Sequence, residues 1–212
     1  LACRRCKGCS SMGRETFLAK VQWENGWPVI NPGIGKLEEK LELPMEVVRF
    51  PREASEDVFF EFHKDQLPKE LISIYEMDPE MYSLSERPGF LRLQAGKHHV
   101  GEKAVSTYVG VRQMSYTFTT SLGMEFIPKD SHSGAGFLLF QNHRNFLRAE
   151  IRMQNQNSIL CVIETIDGQE KVLKTISLEK GLIEILFQVE EQLGKVSIVQ
   201  NGKAREVVGH ID

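Results

Sequence analysis

The stretch SILCVIETIDGQEKVLKTISL (158–178) decides the class of fold. Two short runs rich in β-branched residues, 158–166 and 171–178, are separated by Asp167-Gly168. An Asp-Gly pair suits a type I′ turn, because both central residues need positive φ, and it signals a tight hairpin. The same grammar extends outward. GFLLFQN (136–142) and FLRAEIRMQ (146–154) precede it, and LIEILFQVEEQ (182–192) and KVSIVQN (195–201) follow, the last closed by Asn201-Gly202. Upstream lie DVFFEF (57–62), FLRL (90–93) and STYVGVRQMSYTFTTSLGMEF (106–126), the last rich in Thr, Tyr, Val and Phe. Short strands with turn signals at regular spacing predict an all-β sandwich or barrel, running as an antiparallel meander from about residue 89. One segment, GLIEILFQVEEQLG (181–194), fits a 3.6-residue period in part and a two-residue alternation in part. The strands on either side favour strand there.

The first part of the chain reads differently. ENGWPVINPGIG (24–35) is dense in Gly and Pro, and LEEKLELPMEVVRFPREASED (37–57) is charged and broken by Pro. Such composition predicts an extended connector that crosses a surface or joins two domains.

The bulk numbers exclude several classes. The 212 residues suffice to bury a large core without staples. A formal net charge of −3 lacks the basic excess of a nucleic-acid binder. No apolar run approaches the length of a membrane helix. No apolar stretch follows Arg4, Arg5 and Lys7, so no secretory leader is legible. The chain begins without Met, which leaves the compartment, secreted or cytoplasmic, open.

Few residue patterns suggest chemistry. Cys3, Cys6 and Cys9 form C-x-x-C-x-x-C, but no fourth ligand follows. Zinc and iron–sulfur sites want four, so free thiols or one disulfide are the preferred reading. Cys161 sits in an apolar strand as a small core residue. The nearest carboxylate pair is Asp57 and Glu61, at i and i+4 of DVFFEF. A half-exposed strand explains them more simply than a sandwich enzyme with its own acid and base. His98 and His99 fall in a loop, where a polar surface is the preferred reading and the edge of a ligand site the alternative. Ser133-Gly134-Ala135-Gly136 precedes a strand, the wrong order for a phosphate loop, and reads as a flexible hairpin. No catalytic residue, metal ligand or cofactor is expected from these patterns.

Several stretches taken together resemble a known family. GRETFLAKVQWENGWPVINPGIGKL (13–37) resembles the end of the catalytic domain and the start of the linker in β-xylosidases and α-L-arabinofuranosidases of glycoside hydrolase family 43. LSERPGFLRL (84–93) resembles the entry into that family's C-terminal concanavalin-A-like sandwich. VGVRQMSYTFTTSLGMEF (109–126) and AGFLLFQNHRNFLRAEI (135–151) resemble the strands that follow. The resemblance implies a jelly-roll β-sandwich over 57–212, a junction-wrapping linker over 23–56, and the last strands of a catalytic propeller over 1–22. It also implies further strands beyond the last hairpin, at the C-terminal edge.

In this family a five-bladed propeller carries three catalytic carboxylates, and the sandwich packs on it and closes one side of its pocket. The implied role is a non-catalytic accessory domain. Its partners would be the propeller and, through it, a xylo- or arabino-oligosaccharide. The family often sends an aromatic-bearing loop to the pocket edge. Here that loop is AGKHHVGEKAVSTY (95–108), which has no Phe and offers His98, His99 and Tyr108. The family's Arg-Arg-Gln after the loop is Val111, Arg112 and Gln113 here. Trp23, Trp27 and Pro28 fall at the implied domain junction, where a large ring with one polar N–H suits a partly wet interface. The alternative is a stand-alone lectin-like module, which needs an aromatic face such as Phe137, Phe140 and Phe146 could supply.

Overall fold

The computed structural model describes residues 17–38, 40–42, 57–76 and 78–211. The cysteine triplet therefore lies outside the described residues. The chain forms two compact units, 1–59 and 60–212.

In the first unit, β1 (Val21–Glu24) and β2 (Trp27–Ile30) form a hairpin. Asn25 and Gly26 turn it with φ of 50° and 80°, the type I′ signature that Asn-Gly tolerates. Directly opposed residues share a face, so Val21, Trp23, Pro28 and Ile30 lie on one side and Gln22, Glu24, Trp27 and Val29 on the other. Asn31 is buried and ties the hairpin's ends. Its side-chain oxygen accepts from the Lys20 N–H at 3.0 Å, and its amide donates to the Lys36 carbonyl at 2.8 Å. Trp23 and Trp27 remain exposed.

The second unit is a two-sheet sandwich entered through irregular chain. β3 (Tyr82–Ser83) and β4 (Arg92–Leu93) make a two-residue ladder. β5 (Thr117–Met124) joins β10 (Ile183–Glu190), β11 (Leu193–Gln200) and β12 (Lys203–Ile211) in one sheet, in the order β12-β11-β10-β5. β6 (Gly134–Asn142), β7 (Asn145–Gln154), β8 (Asn157–Ile166) and β9 (Gln169–Ser177) form the other, in sequence order. Every pairing is antiparallel.

Alternation builds the core. Ile183, Ile185 and Phe187 of β10 point inward, as do Val196 and Ile198 of β11. They meet Ala149 and Ile151 of β7, Leu160 and Val162 of β8, and Ile176 of β9. The rings of Phe137 and Phe187 touch across the sheets with centroids 5.1 Å apart. This is face-to-face packing of two half-apolar sheets, each unable to bury its own inner face alone.

Several expectations are corrected. The meander is two meanders, because β5 skips to the far sheet and pairs with β10. Residues 57–62 form no strand beyond a single bridge from Phe62 to Gly89, so Asp57 and Glu61 share no strand face. Of 106–126, only 117–124 is strand. Upstream of it, Tyr108 packs on Phe140 instead of joining a ladder. Ser133-Gly134-Ala135-Gly136 is no hairpin, since β6 begins at Gly134. A side chain on Gly136 would run into the Ala149 carbonyl, and one on Gly134 into the Glu150 carboxylate. The strand favoured over 181–194 does form, as β10 and the start of β11, with Glu191 turning the chain between them at φ 57°. Among the described residues no helix is long and apolar enough to cross a membrane.

Candidate functional site

The β6–β9 sheet is buried on both faces at its centre. Away from the core, β7 presents Phe146, Arg148, Glu150 and Arg152, and β8 presents Thr165, Ile163, Cys161 and Ile159 directly opposite them. Ile159, Cys161 and Ile163 form a second small apolar cluster there. The cover is the irregular chain around residues 95–108.

Charge is concentrated under that cover. The Arg148 side chain is only 5% exposed and donates to Glu150 at 2.7 Å and to Glu170 at 2.9 Å. Arg152 donates to the same Glu150 carboxylate through two nitrogens, each at 2.9 Å. Burial pushes the Glu150 carboxyl up, but the hydrogen bonds and charges of Arg152 and Arg148 outweigh it and leave it below the usual range. The hydrogen bond from Arg148 does the same for Glu170. Glycine at 134 leaves the space Glu150 occupies.

Rings bridge the cover to the sheet. His99 leans on Phe146 at 5.9 Å, Phe146 on Phe140 at 6.2 Å, and Tyr108 on Phe140 at 6.0 Å. Burial lowers the His99 pKa, and the nearby Arg148 charge adds to it, against smaller pulls from Glu150 and Glu170. Burial raises the Tyr108 phenol. His143 continues the ring contacts, edge-on to Phe140 and stacked on Tyr75.

The five predicted loop residues thus divide. His99 and Tyr108 face inward and anchor the loop through Phe140 and Phe146. His98 is exposed and pairs with Glu102 at 2.8 Å. Gln113 donates to the Ser115 carbonyl at 2.8 Å. Arg112 lies on an open cleft with Lys69, Ser73 and Tyr75. Sequence reasoning missed Arg148, Glu150 and Arg152, although their spacing at i, i+2 and i+4 of a strand places all three on one face. Tyr75 and His143 carried no such signal. Phe140 and Phe146 are covered and Phe137 packs inward, so they offer no aromatic binding face. Among the described residues no group of three His, Cys, Asp or Glu could hold a metal ion.

Comparison with known proteins points one way. Residues 60–211 match the family described as the β-xylosidase C-terminal concanavalin-A-like domain. A xylosidase/arabinosidase from Butyrivibrio fibrisolvens is 35% identical over all 212 residues, which span 41% of its length. A non-reducing-end α-L-arabinofuranosidase from Bacteroides ovatus is 28% identical over 171 residues, 79% of this chain and 31% of that protein. The crystal structure of a xylan β-1,4-xylosidase from Bacillus halodurans superposes with a TM-score of 0.77 at 22% identity, covering 92% of this chain and 38% of that one. The chain therefore spans well under half the length of the relatives it matches.

Proposed function

The chain belongs to the C-terminal concanavalin-A-like domain family of the glycoside hydrolase family 43 β-xylosidases and arabinosidases, as a non-catalytic accessory domain, and on that premise we propose that it completes an enzyme removing terminal xylosyl or arabinosyl units. The catalytic carboxylates belong to a propeller joined to it. On this reading residues 1–22 belong to the end of that propeller, 23–56 to the linker, and 57–212 to the accessory sandwich. The hairpin with Trp23, Trp27 and Pro28 sits at the junction, since an isolated two-stranded hairpin with exposed aromatic rings is marginal without a partner.

The loop 95–108 forms one side of the sugar pocket. His99 and Tyr108 fix its backbone, and His98 is its exposed tip, with Gln113 holding the following turn and Arg112 on the cleft beside it. The observation that carries this reading is the family match across 60–211 in a chain spanning 41% of a xylosidase/arabinosidase.

The test is an in-frame enzyme in which this chain follows its upstream coding region. Hydrolysis of aryl β-xylosides or aryl α-arabinofuranosides is expected. Shortening 97–103 should lower kcat/KM on oligosaccharides more than on the aryl glycosides, because the loop meets the parts of substrate beyond the first sugar. Equal effects, or no glycosidase activity, would refute the reading.

A further inference from the structure

One open cleft of about 580 Å³ lies in the irregular chain that enters the sandwich. Its size falls in the range of small-molecule sites, roughly 300–1,000 Å³. Leu67, Pro68, Leu71 and Ile72 give it an apolar wall, and Lys69, Ser73, Tyr75 and Arg112 give it polar groups. Lys69 and Arg112 have no ion-pair partner among the described residues. No carboxylate among the described residues lines the cleft; Glu76 lies on a smaller neighbouring hollow.

Tyr75 is held as a platform. Its φ of 64° is left-handed, a conformation that costs a non-glycine residue free energy and concentrates at ligand clamps. The Ser73 hydroxyl donates to the Tyr75 carbonyl at 2.9 Å and fixes that turn. The ring stacks on His143 at 5.7 Å, 15° from parallel. The His143 Nδ1–H donates to the Val100 carbonyl at 2.8 Å, which sets the tautomer. Its Nε2 then accepts from the Tyr75 hydroxyl at 3.0 Å. His143 thus holds the hydroxyl end of the ring, while 56% of the residue stays exposed.

A stationary aromatic face, an apolar wall and two cations without an ion-pair partner among the described residues ask for a ligand with an apolar face and one carboxylate. A small inorganic anion would use the cations and leave the ring idle. We infer that this cleft binds an acidic sugar, a hexuronate carried as a side group on a xylo-oligosaccharide. The pyranose C–H face stacks on Tyr75, and Arg112, with Lys69 nearby, pairs with the carboxylate. Only the choice of a xylose main chain rests on the proposed function; recognition of the acid rests on the cleft.

Calorimetric titration of the 212-residue chain with a uronosyl-xylotriose, with neutral xylotetraose and with inorganic sulfate decides it. The uronosyl ligand should bind about tenfold more tightly than the neutral one, the scale of one charge-assisted contact. Arg112→Gln should abolish that preference, and Tyr75→Ala should weaken the uronosyl ligand. Equal affinity for both oligosaccharides, sulfate binding as tightly as the uronosyl ligand, no uronosyl binding at millimolar concentration, or an unchanged Arg112→Gln variant would each overturn the inference. Glycosidase activity of the in-frame enzyme is read separately, so failure of the proposed function and failure of the cleft show in different experiments.

Discussion

The two faces of the β6–β9 sheet are buried by opposite means. The inner face meets the other sheet through Ala149, Ile151, Leu160 and Val162, with no charge in the cluster. The outer face, on the same strands one residue out of step, buries Arg148 and Glu150 beside Phe146 and Cys161. Transfer from water stabilises the first directly. The second must offset the desolvation of charges with paired hydrogen bonds, so it contributes geometry more than stability. A face that is costly to bury yet buried, and roofed by the loop 95–108, has the character of a positioning surface. Region 95–108 is anchored where ordinary packing would have sufficed on the inner side.

Substitutions can break this contrast in order of size. Phe187→Ala, at 1% exposure across from Phe137, should cost about 3–5 kcal/mol in urea unfolding. Arg148→Ala should cost about 3 kcal/mol, because it leaves Glu150 buried with one partner, whereas Arg148→Met together with Glu150→Leu should recover most of that loss. A cost within about 0.5 kcal/mol for Arg148→Ala would make the outer face an ordinary solvated surface.

The pH response sharpens the same point. Glu150 and Glu170 titrate lower in the folded state than unfolded, so the unfolded chain takes up their protons first as pH falls. Their contribution is full above the ordinary carboxylate range and is lost as pH drops through their folded values. His99 is also depressed, so the fold begins to weaken earlier, as pH falls below the ordinary histidine value. His99→Phe should remove that earlier limb of a stability–pH profile and keep the acid limb. The profile of Arg148→Met should show a diminished acid limb. The smallest expected effect belongs to the β7–β8 turn at the end of the sheet. Gln156 sits at φ 63°, and Gln156→Gly should stabilise by about 0.5–1 kcal/mol in the same unfolding assay.

The sandwich was legible because its grammar is local. Asp167-Gly168 and Asn201-Gly202 mark the turns they form, both with left-handed φ at each residue. The turns at Asn155-Gln156 and Glu191 carry no such marker, yet the chain reverses there, because pairing of the flanking strands overrides the residues' own preferences. DVFFEF failed as a strand because apolar composition does not specify a ladder partner. The loop 95–108 was found by resemblance, but its split into exposed His98 and anchored His99 depends on Phe146, far away in sequence. Tyr75 was invisible for the same reason, since its partner His143 is 68 residues on.

The central claim is that this chain assists catalysis without performing it. The most direct measurement is turnover of aryl β-xyloside and aryl α-arabinofuranoside by the purified 212-residue chain. The account predicts no hydrolysis above the buffer rate, for the parent chain and for its Glu61→Gln and Glu150→Gln variants alike. Measurable turnover that disappears on changing either carboxylate would contradict it.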